Sequence, residues 1–112
     1  MTVRFGYTIL YVPDVREAVD FYEAAFGMTQ RFLHDSGLYA ELETGTVTLA
    51  FAAEEMAEIN GLAIRPQRKG DPAQAVEIAL ICDDPQSAWD RRWYITTISE
   101  VRETRSRSTS AR

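Results

Sequence analysis

Residues 7–27 read YTILYVPDVREAVDFYEAAFG and predict a strand followed by a helix with both of its ends marked. The β-forming run stops at Pro13, because proline cannot donate to a sheet ladder. Asp14 suits the N-cap of the helix, and Glu17 three residues later completes a capping-box pattern. Gly27 suits the C-terminal cap. Apolar residues recur between them at helical spacing: Val15, Ala18, Val19, Tyr22 and Phe26.

The composition is that of one globular domain of 112 residues, with 46% apolar residues. No apolar run approaches the roughly 20 residues of a membrane helix, and the N-terminus lacks the apolar core of a signal peptide. We therefore expect a cytoplasmic protein without membrane contacts. The net charge of −5 argues against nucleic-acid binding, which requires a basic face. The single cysteine, Cys82, cannot form an internal disulfide and is interpreted as a core thiol.

Alternation of period two predicts three further strands in the first half of the chain, over 30–34, 38–43 and 46–52. Turn residues separate them, so we expect an antiparallel meander. A short helical pattern follows over 54–59. The first half therefore reads βαβββ.

The second half repeats the opening of the first. After a loop-like stretch over 62–75, residues 76–82 predict a strand, and Asp84 with Pro85 predicts the start of a helix. Residues 95–101 predict the next strand of this second module. The module then stops, with two strands fewer than the first. Residues 102–112 are mostly arginine, serine and threonine, which cannot bury enough surface to offset their ordering entropy.

This pattern predicts one domain over residues 1–104. It comprises a first module at 1–61, a linker at 62–75, a partial second module at 76–104 and an Arg/Ser-rich tail at 105–112.

The doubled plan resembles the vicinal-oxygen-chelate superfamily, which contains glyoxalase I, bleomycin-resistance proteins and extradiol dioxygenases. The residues that carry the resemblance are the Pro-Asp-Val, Phe-Tyr and Phe-Gly groups of 13–27 together with the repeated strand, and it covers residues 4 to about 104. It implies an α+β fold of paired βαβββ modules, whose sheets form two half-cups around a small-molecule site. Here the second module is incomplete, so the C-terminus is atypical or truncated.

The resemblance also implies where metal ligands would stand. The first-strand and last-strand ligands of module one fall on Tyr7 and Thr48, and the first-strand ligand of module two falls on Glu77. The fourth has no counterpart. One carboxylate among these positions is a poor metal site, since an open catalytic site usually has three protein ligands. We therefore expect no metal and no cofactor.

Strand alternation sends one set of side chains to the sheet face away from the helix. This set is Tyr7, Ile9, Tyr11, Tyr39, Glu41, Thr48 and Glu77. Aromatic walls with a few polar anchors are typical of a small-molecule pocket, so we assign ligand binding to all of these residues except Ile9. A solvated sheet face shows the same alternation. Two facing carboxylates, Glu41 and Glu77, could act as general acid or base if burial raised one pKa, but no catalytic residue is assigned.

Three functions remain open from the sequence. The first is small-molecule binding of the bleomycin-resistance type without a metal, and the second is a metal-dependent lyase or dioxygenase of the same superfamily. The third is an inactive product of an altered reading frame, since the match stops abruptly near Thr104. An incomplete second module leaves a free strand edge, so we expect a homodimer, with strands or modules exchanged between the chains.

Overall fold

The computed structural model describes residues 1–82 and 98–103. Its elements are, in chain order, β1 (Tyr7–Val12), α1 (Val15–Phe26), β2 (Gln30–Leu33), β3 (Tyr39–Leu42), β4 (Thr48–Ala53), α2 (Glu54–Ile59), β5 (Ile78–Cys82) and β6 (Ile98–Glu103). The chain divides into two compact units, Met1–Pro66 and Gln67–Arg112. The α+β class is confirmed, and the first unit contains a complete βαβββ module.

Helix α1 begins and ends where its cap residues predict. The Asp14 carboxylate accepts a hydrogen bond of 3.0 Å from the backbone N–H of Glu17, which satisfies one of the free N–H groups of the first turn. At the other end Gly27 adopts φ 67°, the left-handed conformation. Its N–H donates to the carbonyl of Glu23 at 3.0 Å, and the N–H of Met28 donates to the carbonyl of Tyr22 at 3.4 Å. Local sequence therefore determines both ends of the helix.

The sheet of the first unit has the strand order β1-β4-β3-β2. Strands β2, β3 and β4 form the predicted antiparallel meander. Strand β1 pairs in parallel with β4, with Tyr7 opposite Thr48 and Leu10 opposite Phe51. Since parallel neighbours need a long crossover, α1, β2 and β3 together serve as the connection between β1 and β4.

The core of the first unit lies between α1 and one face of this sheet. The buried positions of α1 are Val15, Ala18, Val19 and Tyr22. The ring of Tyr22 packs against Phe51 of β4, with the two ring centroids 4.9 Å apart. Burial of each large side chain in this layer contributes about 1.5–3 kcal/mol, so the packing of α1 fixes which sheet face is covered.

Among the described residues of the second unit, β5 and β6 pair in parallel. Strand β5 begins at Ile78 instead of residue 76, and β6 covers Ile98–Glu103 instead of 95–101. Arg102 and Glu103 are thus strand residues, whereas we expected them to belong to an unstructured segment. Their backbone pairs with Ile81 and Cys82, and sheet pairing offsets the ordering entropy that argued against structure there.

We expected β6 to correspond to β2, the strand that follows α1 in the first module. The pairing of β6 with β5 does not match that correspondence. In the first module, β2 is not paired with β1; the parallel partner of β1 is β4. Strand β6 instead has the relation to β5 that β4 has to β1. The predicted helix start at Asp84 and Pro85 lies outside the described residues, as do residues 104–112 of the predicted tail. The predicted domain boundaries remain predictions.

Within the described part of the chain, no helix has the length and apolar character needed to cross a membrane.

Candidate functional site

The face of the first sheet that points away from α1, here called the distal face, carries most of the predicted ligand-binding residues. Phe51 packs against α1, so its register partners Leu10 and Ala40 share that covered side. The alternate positions form the distal face: Tyr7, Ile9 and Tyr11 on β1, Thr48, Ala50 and Ala52 on β4, and Tyr39 and Glu41 on β3.

Three of these side chains, Tyr39, Glu41 and Thr48, form one hydrogen-bonded set with Arg31 of β2. Nε and Nη2 of Arg31 donate to Oε1 of Glu41 at 3.2 and 2.7 Å. Nη2 also donates to Oγ1 of Thr48 at 2.6 Å. On the other side of the carboxylate, the Tyr39 hydroxyl donates to Oε2 of Glu41 at 2.8 Å. This set of Arg31, Tyr39, Glu41 and Thr48 is called the distal network below.

An irregularity in β2 brings Arg31 into the network. Gln30 pairs with Leu42, whereas Phe32 pairs with Glu41, so the register shifts between Gln30 and Phe32. A bulge of this kind places two successive side chains of one strand opposite a single residue of its partner. Arg31 and Phe32 therefore both lie toward Glu41, although simple alternation would separate them.

The distal network is partly covered, and its surroundings are apolar and exposed. The side chain of Glu41 is 14% exposed and that of Arg31 34%. Thr48 is buried, whereas Tyr7, Ile9 and Phe32 are all exposed. Since Tyr7 is the register partner of Thr48, its phenol stands at the end of the network where β1 begins.

The charges of the network hold Glu41 ionised. Burial alone would raise the pKa of Glu41, but the hydrogen bonds from Arg31 and Tyr39 and the positive charge of Arg31 lower it, and the net shift is downward. The hydrogen bond to Glu41 likewise raises the pKa of Arg31. This direction is opposite to the raised pKa on which the acid–base hypothesis at Glu41 depended.

Tyr39 is held in its neutral form by the same contacts. Burial raises the pKa of the Tyr39 phenol, and the hydrogen bond to Glu41 and the negative charge of that carboxylate raise it further. Its proton therefore stays on the phenol as a donor to Glu41. Tyr39 acts as a hydrogen-bond donor in the network, with no tendency toward a basic phenolate.

The remaining predicted ligand-binding residues are Tyr11 and Glu77. Tyr11 is the register partner of Ala52 on the distal face, two residues beyond Ile9. Glu77 immediately precedes β5 and belongs to the second compact unit. The structure thus brings Tyr39, Glu41 and Thr48 together with Tyr7 beside them, and it places Tyr11 along the same face.

The residues of the distal face do not fit a divalent metal. The positions implied by the resemblance carry a phenol at Tyr7 and a hydroxyl at Thr48, and the Thr48 oxygen already accepts from the Arg31 guanidinium, which would repel a cation. The single histidine, His34, lies beside the turn between β2 and β3, where its Nδ1 accepts from the N–H of Ser36. Among residues 1–82 and 98–103, no group of three His, Cys, Asp or Glu side chains could hold a metal ion.

Sequence reasoning missed Arg31, the residue that connects the network. The pattern of 30–34 predicted a strand, but alternation gives no sign of the bulge that turns Arg31 toward Glu41. The only available signal was an arginine within an otherwise mixed strand beside an acidic partner strand. That signal is too common to assign a role.

Comparison with known proteins gives one family match. The model of the Glyoxalase/Bleomycin resistance protein/Dioxygenase superfamily matches residues 4–91, which is most of the chain. No curated protein matches the sequence.

Solved structures share the fold at low sequence identity. A glyoxalase/bleomycin resistance protein/dioxygenase from Nocardioides aligns with a TM-score of 0.59 and 18% identity over 89% of this chain and 66% of that chain. A glyoxalase-related enzyme from Fulvimarina pelagi gives a TM-score of 0.59 and 16% identity over 85% and 66%. Lactoylglutathione lyase from Agrobacterium tumefaciens gives 0.55 and 18% over 85% and 71%. The chain thus spans slightly less than two thirds of the first two structures, and these identities show a common fold alone.

Proposed function

Because the chain belongs to the glyoxalase/bleomycin resistance protein/dioxygenase superfamily, we propose that it binds a small organic molecule on its distal face without a catalytic metal. The observation that carries the proposal is the distal network beside the exposed rings of Tyr7 and Phe32. Polar groups held in fixed positions next to apolar surface are typical of small-molecule sites. The network rests on strands, which position side chains more rigidly than loops do.

The charge of Arg31 supports binding without a metal. Its guanidinium is 2.6 Å from the Thr48 oxygen, one of the positions where metal-dependent relatives are expected to carry a ligand. A second cation there would meet repulsion, because two positive charges at such a distance interact strongly where solvent is partly excluded. Glu41 is the nearby carboxylate. Arg31 donates to its Oε1 and Tyr39 donates to its Oε2.

A fragment screen tests the binding proposal. Amide spectra of the isotope-labelled chain are recorded with a library of small aromatic and polar molecules. We expect the perturbed amides to cluster in β1, β3 and β4, around Tyr7, Glu41 and Thr48. A folded protein whose hits all perturb other regions, or that yields no hits, would contradict the proposal.

A metal-dependent lyase or dioxygenase is the second candidate function. The structural alignment with a lactoylglutathione lyase supports this candidate. Elemental analysis by plasma mass spectrometry of protein purified without chelators separates the two. We expect zinc, nickel, manganese and iron far below one ion per chain. Stoichiometric metal would favour the enzyme.

A homodimer is part of the same proposal. In the sheet of the first unit β1 is a terminal strand, and Tyr7 and Ile9 on it are exposed. A terminal strand with exposed apolar side chains favours pairing with another chain. Sedimentation equilibrium tests this, with a dimer mass expected and a monomer mass at high concentration as the contrary result.

A further inference from the structure

The hydrogen-bonding capacity left over in the distal network consists mainly of donors. A guanidinium has five N–H groups, and three of those in Arg31 are used, by Glu41 and Thr48. In the described part of the chain, both N–H groups of Nη1 have no acceptor. The Tyr7 hydroxyl likewise has no hydrogen-bond partner there, and the side chain is 52% exposed.

The acceptors of Glu41 are, by contrast, mostly occupied. Oε1 of Glu41 accepts two hydrogen bonds from Arg31, and Oε2 accepts one from Tyr39. The Glu41 carboxylate therefore holds the Arg31 side chain in place, and the Nε edge of the guanidinium points toward this carboxylate. An arginine can use a second edge for another carboxylate, because its fork presents donors on more than one side.

From this imbalance we infer that the small molecule carries an oxyanion, of the carboxylate class, on an apolar and preferably aromatic body. The oxyanion accepts from Nη1 of Arg31 and from the hydroxyl of Tyr7, and the body packs on the exposed apolar surface of Tyr7, Ile9 and Phe32. This inference rests on the proposed function, since it names the ligand class of the same face. A cationic ligand is disfavoured, because it would meet the Arg31 charge and because three of the about four acceptor positions of the Glu41 carboxylate are already used.

Three matched probes test the charge requirement: benzoate, the neutral benzamide and the cationic benzylamine. Each is titrated into the labelled full chain, and the amides of β1, β3 and β4 together with the Nε–H signal of Arg31 are followed. We expect benzoate to shift these signals at concentrations at least about tenfold below those needed for benzamide, the ratio typical of a charge-assisted hydrogen bond. Benzylamine should not shift them.

The double variant Arg31→Gln/Glu41→Gln removes both charges together and so leaves no unpaired carboxylate. It should lose the preference for benzoate while still binding benzamide. Arg16→Gln is the matched control, because Arg16 is an exposed arginine of α1 whose partners are Asp20 and Gln30. It should bind benzoate as the unmodified chain does. If the double variant does not fold, Arg31→Lys is used in its place. Loss of the planar guanidinium should then weaken the binding of benzoate and leave the binding of benzamide unchanged.

The outcomes separate the two proposals. Benzamide binding as tightly as benzoate at the distal face, or an unchanged benzoate affinity in the folded double variant, overturns the oxyanion inference and leaves the binding function intact. No shift of the distal face with any of the three probes, in a chain that also gives no hits there in the fragment screen, overturns both.

Discussion

The guanidinium of Arg31 donates two hydrogen bonds to one oxygen of Glu41, from Nε at 3.2 Å and from Nη2 at 2.7 Å. The arginine comes from β2 and the carboxylate from β3, so the pair joins neighbouring strands across the bulge. Thr48 of β4 accepts from the same Nη2, which extends the connection to a third strand. The network is therefore also a structural element of the sheet.

The Arg31–Glu41 pair predicts a stability that falls in acid. The pKa of Glu41 is lowered in the folded chain relative to the ordinary value of about 4.3, so the unfolded chain binds more protons in that pH range. The contribution of Glu41 is complete above the unfolded pKa and is lost as pH falls through the folded pKa. Urea denaturation at pH values from neutral down to about 3 measures it.

The control for this prediction is Glu41→Gln. The variant should be less stable than the parent chain at neutral pH, and the difference should shrink as pH falls below about 4.3. A difference that is independent of pH would show that the charge of Glu41 does not contribute.

The phenols of Tyr22 and Tyr39 should ionise later than an ordinary tyrosine. Burial raises both pKa values, and the contacts of Tyr39 with Glu41 add to the effect. These two phenols should remain neutral near pH 10, where free tyrosine ionises. Ultraviolet absorbance of tyrosinate measures the titration, and Tyr22→Phe and Tyr39→Phe should each remove one late phenol. Because both folded pKa values are raised, stability should fall as pH rises above about 10.

The hydroxyl of Tyr22 is buried and has no hydrogen-bond partner among the described residues. Tyr22→Phe keeps the ring packed against Phe51 and removes a polar group whose burial is unfavourable. The free energy of unfolding should stay within about 0.5 kcal/mol of the parent value or rise.

Tyr22→Ala is the comparison for the ring itself, and it should lose about 3–5 kcal/mol because a cavity replaces the aromatic side chain. If Tyr22→Phe costs more than about 1 kcal/mol, the hydroxyl has a partner that these contacts do not include.

The left-handed conformation of Gly27 predicts a penalty for any side chain there. Gly27→Ala should lower the free energy of unfolding by about 1 kcal/mol, and since a Cβ at this position would meet no atom within 4 Å, the cost is conformational alone. Gly6→Ala is the matched control, because its surroundings are equally open and its φ is not positive. Equal stability of the two variants would contradict the proposed role of Gly27.

Local features of the fold could be predicted from the sequence because they depend on neighbours in the chain. The ends of α1 follow from Asp14 and Gly27, and the meander follows from alternation and turn residues. Pairing over long distances could not be predicted in this way. Neither the parallel contact of β1 with β4 nor that of β5 with β6 leaves a local pattern.

The candidate site shows the same division. Alternation placed Tyr7, Tyr39, Glu41 and Thr48 on one face, because side chains of a strand alternate strictly. The central residue, Arg31, depends on a bulge, and a bulge depends on the pairing register of two strands. The sequence therefore predicted the face and missed the residue that connects it.

The most direct test of binding at the distal face is the affinity of the tightest fragment for Tyr7→Ala, compared with Ile59→Ala. Ile59 is an exposed apolar residue of α2 and serves as the control for loss of apolar surface. Truncation of Tyr7 should weaken binding by about 1–3 kcal/mol, the range typical of a lost aromatic contact, and Ile59→Ala should leave it unchanged. An unchanged affinity in a folded Tyr7→Ala chain would contradict the account.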